Sequence, residues 1–243
     1  DDTLSGTGFN ETISGGAGND ELHGQDGNDE VLGGEGDDLI TVNGRGSNTL
    51  KGGAGDDTLK VGRSTNYKYQ HDVARHATNT LEGGVGNDRL EGSAGAETYV
   101  FNRGDGSDTI NDYDHNSWSN TTGWNKTDRI VLGEGIRLEE LSLRRDGNHM
   151  VLVIGGSESG DSITIENAYS DGRYRIEEVV LSDGTKFSPM TLPEYVPPVA
   201  EPDLLVQAMS GFDASGNEIA NSPLSNINTA ESLLVSAPQR AVA

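Results

Sequence analysis

Cysteine is absent from this 243-residue chain, and aromatic residues make up only 5% of it. Without cysteine, neither disulfide bonds nor a thiolate metal site can stabilise the fold. Hydrophobic residues reach only 32%, so the core must be thin for a chain of this length. Proline is missing before Pro189, and all seven prolines lie from there onward. Composition alone therefore divides the chain.

Basic residues are also scarce. Lysine and arginine number 17 against 40 acidic residues, which gives a formal net charge of −23. A nucleic-acid-binding surface needs basic side chains to neutralise phosphates, so we expect cations as partners and no nucleic acid. No run of about 18 apolar residues occurs, and no basic-then-apolar leader opens the chain. Because the chain begins within a repeat, we expect it to be a fragment of a longer protein.

Glycine, by contrast, is abundant and regularly placed. Of the 34 glycines, 23 lie in residues 1–110. In the same region an acidic residue and an aliphatic one, two positions apart, recur every nine residues, as in Asp20 with Leu22 and Asp29 with Val31. Turn-forming residues by themselves do not require such strict spacing. The pattern therefore indicates a repeated structural unit.

The repeated unit reads G-G-x-G-x-D-x-U-x, where U is a large aliphatic residue, as in GGAGNDELH and GGVGNDRLE. Its glycines suit a tight turn, and its last three residues place one apolar side chain between two polar ones, as in a short strand. Two nine-residue units make one coil of 18 residues. The unit resembles the calcium-binding nonapeptide repeat of RTX proteins, which implies an all-β fold built on a parallel β-roll, the RTX solenoid.

The resemblance also implies which atoms bind calcium: the aspartates at position six of two stacked turns, and backbone carbonyls of the first four positions. Stacked turns come from alternate repeats, so their carboxylates repel at about 4.8 Å unless a cation lies between them. Calcium takes six to eight oxygen ligands in flexible geometry. The expected metal-binding residues are Asp2, Gly16, Gly18, Asp20, Asp29, Gly33, Gly34, Glu35, Gly36, Asp38, Gly52, Gly53, Ala54, Gly55, Asp57, Gly83, Gly84, Gly86, Asp88 and Asp108.

Alternate repeats divide the acidic positions between two edges of the roll. If the interruption at about 61–73 is a loop that leaves the alternation intact, the first edge carries Asp2, Asp20, Asp38, Asp57, Asp88 and Asp108, and the second carries Glu11, Asp29, Asn48, Asn79 and Glu97. We then expect a well-filled calcium ladder on the first edge and weak or missing ions on the second, with Glu11 and Glu97 as solvated acids. Alternatively, residues 61–69 form a degenerate repeat with Asn66 in the acidic position, and the edges exchange after it.

Three parts are expected along the chain: the β-roll at 1–112, an antiparallel β-rich cap at 113–188, and a largely irregular tail at 189–243. Two hairpin signals, Asp146-Gly147 and Asp183-Gly184, predict the cap. It resembles the β-rich domain that often follows RTX repeats. The tail, Pro-rich at its start, resembles the C-terminal signal of type I secretion.

Two tryptophans lie in a polar stretch before the hairpins. Trp118 and Trp124 are expected to pack on the junction between roll and cap, because burial is the commoner fate of an aromatic side chain. The alternative is an exposed surface that binds a partner.

Calcium linkage gives the expected function. A chain of this charge and low apolar content is typical of disorder without calcium. We expect a monomeric module that leaves a bacterium through the type I secretion machinery and folds outside the cell or at its surface. The H-E-x-x-H zinc motif is absent, and we expect no catalytic residue in this chain. Two alternatives stay open: the C-terminal half of a secreted hydrolase or lyase with its catalytic domain upstream, and an adhesin or toxin segment that contacts a host surface.

Overall fold

Short strands joined by glycine-rich turns alternate between two sheets. The structure is a computed structural model, and it describes residues 1–43, 46–62, 77–93, 95–113, 127–156, 159–170 and 174–197. Helical structure in these ranges is limited to 3-10 segments such as Leu138–Glu140 and Pro189–Thr191. In the part of the chain that is described, no helix is long and apolar enough to cross a bilayer. The all-β fold is confirmed.

Each sheet collects every second strand of the roll. Among the described residues, the first sheet contains, in spatial order, β1 (Thr3–Ser5), β3 (Glu21–Gln25), β5 (Leu39–Asn43), β7 (Thr58–Gly62), β9 (Arg89–Glu91), β11 (Ser107–Asn111), β15 (Ser162–Ile165), β14 (His149–Ile154) and β13 (Leu141–Asp146). The second contains β17 (Lys186–Phe187), β16 (Glu178–Val180), β12 (Arg129–Leu132), β10 (Ala96–Phe101), β8 (Thr78–Val85), β6 (Thr49–Ala54), β4 (Glu30–Glu35) and β2 (Thr12–Ala17). Neighbouring strands from β1 to β12 pair in parallel, which confirms the β-roll.

One aliphatic side chain from each repeat fills the space between the sheets. Leu4 pairs with Leu22 on the neighbouring strand, 18 residues away, which matches the predicted coil. The inward residues Leu22, Val31, Ile40, Leu50, Leu59, Leu81, Leu90, Tyr99 and Ile110 are at most 1% exposed. Burying one such side chain contributes about 1.5–3 kcal/mol, so one or two buried apolar residues per strand, such as Ile40 and Val42 in β5, make the thin core that the composition predicts.

The interruption between β7 and β8 leaves the alternation of strands intact. Strand β7 pairs with β9, and β6 pairs with β8, although 31 residues separate Leu50 from its partner Leu81. The alternative in which residues 61–69 form a repeat and exchange the edges is therefore wrong. Val61, which the prediction placed in the loop, belongs to β7 and is 3% exposed. Residues 63–76 lie outside the described ranges.

The predicted hairpins close the roll, but parallel pairing continues into them. Strands β13 and β14 pair antiparallel around Gly147, and β16 and β17 pair antiparallel around Gly184. Only antiparallel strands were expected here. Instead, β15 pairs in parallel with β11, and β16 pairs in parallel with β12, so the cap extends both sheets of the roll.

Residues Asp1–Val196 form one compact unit, which contains the roll and the hairpins. A second unit, Pro197–Ala243, lies outside the described residues except for Pro197. The expected secretion signal falls in that unit. Trp118 and Trp124 also fall outside the described ranges.

Candidate metal sites on the edges of the roll

Six aspartates form a ladder along the first edge of the roll. The backbone N–H of each donates a hydrogen bond to Oδ1 of the aspartate one coil further on, from Asp2 through Asp20, Asp38, Asp57 and Asp88 to Asp108. The central bonds, from Asp20 to Asp38 and from Asp38 to Asp57, are both 2.8 Å long. The predicted membership of this edge is confirmed. Stacking therefore brings six carboxylates into one column.

The second oxygen of these carboxylates is left without a protein donor. Oδ2 of Asp20, Asp38, Asp57 and Asp88 is buried and accepts no hydrogen bond from the described residues. Leaving a charged oxygen buried and unpaired costs more than the ordinary penalty of about 1–3 kcal/mol for a polar group. A bound cation offsets that cost, and a hard carboxylate oxygen is a ligand that calcium prefers.

A glycine at the first position of each turn leaves room for this oxygen. A Cβ on Gly33 would overlap Asp38 Oδ2 and lie 2.5 Å from the carbonyl oxygen of Gly52. The same arrangement recurs one coil on, where a Cβ on Gly52 would overlap Asp57 Oδ2 and lie 2.5 Å from the Gly83 carbonyl oxygen. A carboxylate oxygen and a carbonyl oxygen thus converge beside each glycine, and this donor set fits calcium.

The other turn glycines are required by the backbone itself. Those at position two, which are Gly16, Gly34, Gly53 and Gly84, have φ between 104° and 129°, and those at position four, which are Gly18, Gly36, Gly55 and Gly86, have φ between 110° and 157°. A side chain is strained in that region. On Gly53 a Cβ would also overlap the carbonyl oxygen of Gly34 in the coil before it.

The backbone carbonyl at position three of the turn already accepts one hydrogen bond. The carbonyl oxygen of Glu35 accepts the N–H of Gly18, and that of Ala54 accepts the N–H of Gly36, both at 2.8 Å. Their side chains are exposed. A carbonyl oxygen has two lone pairs, so each can also serve as a metal ligand.

The second edge forms a ladder of mixed composition. Glu11 N–H donates to Asp29 Oδ1, Asp29 N–H to Asn48 Oδ1, and Asn48 N–H to Asn79 Oδ1, at 2.9–3.1 Å. The predicted membership of this edge is also confirmed. Asp29 Oδ2 is buried without a hydrogen bond from the described residues, as on the first edge, but its neighbours along the edge are Glu11 and the neutral amide of Asn48.

The two glutamates of this edge differ from one another. Glu11 is partly exposed and accepts hydrogen bonds from the backbone N–H and the hydroxyl of Thr7. Glu97 is 0% exposed, so the prediction of a solvated acid is wrong for it. The reason is a tertiary contact: Glu97 Oε1 accepts bonds of 3.0 Å from Asn79 Nδ2 and Ser93 Oγ.

Position five forms a further ladder that the sequence analysis missed. Asp37 N–H donates to Asn19 Oδ1 at 3.0 Å, Asp56 N–H to Asp37 Oδ1 at 2.9 Å, and Asn87 N–H to Asp56 Oδ1 at 2.8 Å. These bonds run toward the preceding coil, opposite to those of position six. The signal was present, because GND or GDD occurs in each of these units. Such side chains hold stacked turns together without any ion.

Burial makes three first-edge carboxylates resist ionisation. It raises the pKa of Asp57 to about 7 and that of Asp88 to about 6, although backbone N–H groups act in the opposite direction. Burial also raises the pKa of Asp108 to about 8, and the carboxylates of Asp88, Asp105 and Asp161 contribute to that rise. A nearby divalent cation favours the ionised form. Asp57, Asp88 and Asp108 therefore ionise more readily when a cation is bound.

Two family descriptions match the chain. The RTX calcium-binding nonapeptide repeat (4 copies) matches residues 5–40, 43–67 and 77–110. The haemolysin-type calcium binding protein related domain matches residues 149–189. The first match covers both carboxylate ladders, and the second covers the strands that close the roll.

Two known proteins are similar to parts of the chain. The iron-regulated protein FrpA of Neisseria meningitidis serogroup C is 32% identical over 102 residues, which is 41% of this chain and 8% of FrpA. The extracellular lipase LipA from Serratia marcescens aligns with a TM-score of 0.30 and 18% identity over 67% of this chain and 37% of that chain. The chain spans less than half of either protein.

The matched repeats coincide with the strands and turns that build the two ladders, and nonapeptide repeats of this kind bind calcium. Proteins that carry them are generally secreted, and the repeat domains are generally non-catalytic. The match in the closing strands belongs to the same group of proteins. This chain is an RTX-type protein.

Proposed function

We propose that this chain is a calcium-dependent folding module of a larger secreted protein. The observation that carries the proposal is the column of buried carboxylate oxygens without hydrogen bonds, at Asp20, Asp38, Asp57 and Asp88. When bound, calcium supplies the positive charge that lets these groups be ionised and buried together. The chain itself supplies the turn glycines, the carbonyl oxygens and the hydrogen-bonded backbone that hold the carboxylates in line.

Ion binding makes the folded state depend on calcium concentration. Each ion that binds only the folded chain stabilises it by about 2.7 kcal/mol at a calcium concentration of 100 times Kd. Extracellular calcium modules have Kd values of about 10⁻⁴ to 10⁻³ M, far above free cytosolic calcium. The chain is therefore unfolded during passage through the type I secretion machinery and folds outside the cell, as a monomer.

A calcium titration of the 243-residue chain tests this proposal. Far-UV circular dichroism and small-angle scattering are measured from chelator to about 10 mM calcium, which exceeds the Kd range of extracellular modules. We expect an expanded, disordered chain in chelator and a steep, cooperative change to a compact β-rich state. A chain that is already compact and β-rich in chelator would refute the switch.

The ions are distributed unequally between the edges in this proposal. First-edge turns have aspartate at every acidic position, whereas the second-edge turns with Glu11, Asn48 and Asn79 carry less charge. Anomalous diffraction from calcium-loaded crystals distinguishes the edges. Equal occupancy at these turns and on the first edge would contradict the unequal distribution while leaving calcium-dependent folding in place.

A further inference from the structure

Three buried carboxylates converge where the roll meets the cap. Glu97 lies in β10, Asp112 directly follows β11, and Asp128 directly precedes β12. One carboxylate oxygen from each lies within 4.8 Å of the other two. Glu97, Asp112 and Asp128 are 0%, 2% and 3% exposed, respectively. None of the three was predicted as a metal ligand from the sequence.

Hydrogen bonds hold two of these carboxylates in fixed orientations. Asn79 and Ser93 both donate to Oε1 of Glu97 at 3.0 Å. The backbone N–H of Glu97 donates to Asp128 Oδ1 at 2.9 Å, and Asp128 N–H donates to Glu177 Oε2 at 2.9 Å. Positioned ligands of this kind lose little freedom when an ion binds.

Asp112 replaces a turn glycine. Asn111 in β11 pairs with Glu91 in β9, so the next residue, Asp112, lies beside Gly92. Gly92 occupies the first position of the turn that leads to Glu97. The first-edge turns offer a backbone carbonyl beside a glycine at this position, whereas this turn offers a side-chain carboxylate. The bond from Glu97 N–H to Asp128 Oδ1 continues the ladder of the second edge, so the cluster differs from the nonapeptide sites in the carboxylate of Asp112.

The hydroxyl of Tyr99 points into the cluster. Tyr99 is 1% exposed, and its hydroxyl oxygen makes no hydrogen bond of normal length and angle with a described residue. A Cβ on Gly92 would overlap this oxygen and lie 2.8 Å from Asp112 Oδ1, so the hydroxyl and the carboxylate share one small space. Burial and the carboxylates of Asp112, Glu97 and Asp128 raise the pKa of Tyr99 well above its usual value. The hydroxyl is thus a neutral, buried oxygen beside three acids.

We propose that Glu97, Asp112 and Asp128 bind one calcium ion at the junction of roll and cap, with the Tyr99 hydroxyl beside it. Calcium–oxygen distances of about 2.3–2.6 Å allow two ligand oxygens of one ion to be up to about 5.2 Å apart, and the oxygens of this cluster lie within 4.8 Å of one another. Carboxylate oxygens favour calcium, magnesium or manganese over zinc or copper. Magnesium requires a smaller, near-octahedral site, so calcium suits irregular ligands from three segments best.

This ion ties together three segments that are far apart in sequence. It holds β10, the end of β11 and the start of β12, and Asp112 and Asp128 are the two ends of the segment between β11 and β12. Strands β11 and β12 are also those on which the cap strands β15 and β16 pair. The junction ion therefore couples closure of the roll to docking of the cap.

Anomalous diffraction from crystals of the 243-residue chain loaded with calcium, or with terbium as a heavier probe, tests the site directly. We expect a peak bounded by oxygens of Glu97, Asp112 and Asp128. A well-ordered junction without a peak at calcium concentrations that fill the first edge would overturn the proposal. Because the first-edge ions are seen in the same map, failure of the junction site is distinguishable from failure of the proposed function.

Ion counting by equilibrium dialysis or native mass spectrometry gives an independent readout. We expect Asp112→Asn to bind one calcium ion fewer than the wild-type chain and to keep the first-edge ions. Glu139→Gln is the matched control, because it removes one charge from an exposed side chain whose ion pair with Arg137 is at the surface. An Asp112→Asn chain that binds as many ions as the control would contradict the proposal. If Asp112→Asn does not fold in calcium, the wild-type anomalous map decides.

Discussion

Each aspartate of the first edge has two separate tasks, one for each carboxylate oxygen. At Asp38, Oδ1 accepts the N–H of Asp20, whereas Oδ2 is buried beside Gly33 without a donor. The first oxygen maintains the stacking of coils, and the second is available to an ion. An amide at this position still accepts the hydrogen bond from the neighbouring coil, as Asn48 does on the other edge. It offers an ion a weaker, uncharged ligand.

Replacing Asp38 with asparagine should weaken calcium binding more than replacing Glu11 with glutamine. Asp38 lies between Asp20 and Asp57 in the column, so its carboxylate adjoins two ion positions. We expect the free energy of unfolding at saturating calcium to fall by about 2.7 kcal/mol or more for Asp38→Asn, equivalent to at least one ion at 100 times Kd. Calcium midpoints from circular dichroism measure both variants. Equal midpoints for the two variants would count against the assignment of strong sites to the first edge.

The ladders are the elements that connect sequence period to stability. Parallel strands place identical repeat positions one above another, so each position from one to six becomes a column along an edge. Position six and position five both form hydrogen-bonded columns, in opposite directions. The stacked turns consequently have an ion-dependent and an ion-independent source of cohesion.

The position-five column can be tested without touching the metal ligands. Asp37 accepts the N–H of Asp56 at 2.9 Å and its side chain is exposed. We expect Asp37→Ala to destabilise the calcium-loaded roll by about 0.5–1.5 kcal/mol, the usual net value of one hydrogen bond. Asp37→Asn, which keeps the acceptor oxygen, should be close to neutral. Chemical denaturation at saturating calcium gives both values, and ion counting should show the same stoichiometry. Equal destabilisation by alanine and asparagine would show that the hydrogen bond contributes little.

The pH dependence of folding should also follow from the first-edge column. The pKa values of Asp57, Asp88 and Asp108 in the folded, calcium-free chain are about 7, 6 and 8, all above the usual 3.8 for the unfolded chain. The folded state therefore binds protons more tightly, so protonation favours it at low pH, and this contribution is lost as the pH rises from about 4 to 8. Calcium requires the ionised form and gains affinity over the upper part of that window.

The calcium-free chain is unfolded in this proposal, and its aspartates are already ionised above about pH 5. The loss of proton-linked stability and the gain in calcium affinity therefore cancel, and we expect the calcium midpoint of folding to be nearly constant between pH 6 and pH 8 and to rise below about pH 5. Circular dichroism titrations at fixed ionic strength measure the midpoint. Calorimetry in buffers of different ionisation enthalpy should accordingly detect almost no proton release on calcium-driven folding at pH 7. A midpoint that falls about tenfold between pH 6 and pH 8 would show that calcium binds a chain that is already folded and whose carboxylates are protonated.

At the scale of the whole molecule, the roll and the closing strands are one hydrophobic structure. Strand β15 places Ile165 next to Ile110, and β12 places Leu132 next to Phe101. These residues are at most 1% exposed. The half-buried ion pair between Arg89 and Glu166 also joins the roll to the segment after β15. The end of the roll is thus covered by the cap rather than by solvent.

Truncation after residue 112 should abolish folding in calcium. It would expose the inward faces of the last coil, where each large apolar side chain contributes about 1.5–3 kcal/mol of burial, and it would remove Asp128. We expect no β-sheet transition up to about 10 mM calcium, well above the Kd of extracellular modules. A chain ending at Val196 is the matched control and should retain the transition. Folding of the 1–112 chain at the same midpoint as the control would show that the cap is dispensable.

The sequence by itself determined the repeated part of this protein. A strict period of nine places the repeat aspartates and aliphatic residues at fixed positions of a coil, so strand direction and the composition of both edges before the interruption follow from local pattern. Which edge carries Asp88 and Asp108 was decided by the pairing of β7 with β9. Hairpins at Gly147 and Gly184 followed from turn chemistry in the same way. The parallel pairing of β15 with β11 and of β16 with β12 did not follow from local pattern, because no local signal specifies which strand a distant segment pairs with.

Only the tertiary structure shows which carboxylates meet at the junction of roll and cap. Glu97 was expected to be solvated, and Asp112 and Asp128 had no repeat partner in the sequence analysis, yet parallel pairing of β10 with β12 and of β9 with β11 brings their carboxylates within 4.8 Å. Sequence period specifies contacts between equivalent positions of neighbouring coils. Where the repeat is interrupted, contacts depend on how strands pair across the interruption, and the physical reason is that burial and charge are properties of the packed sheets rather than of any nine-residue unit.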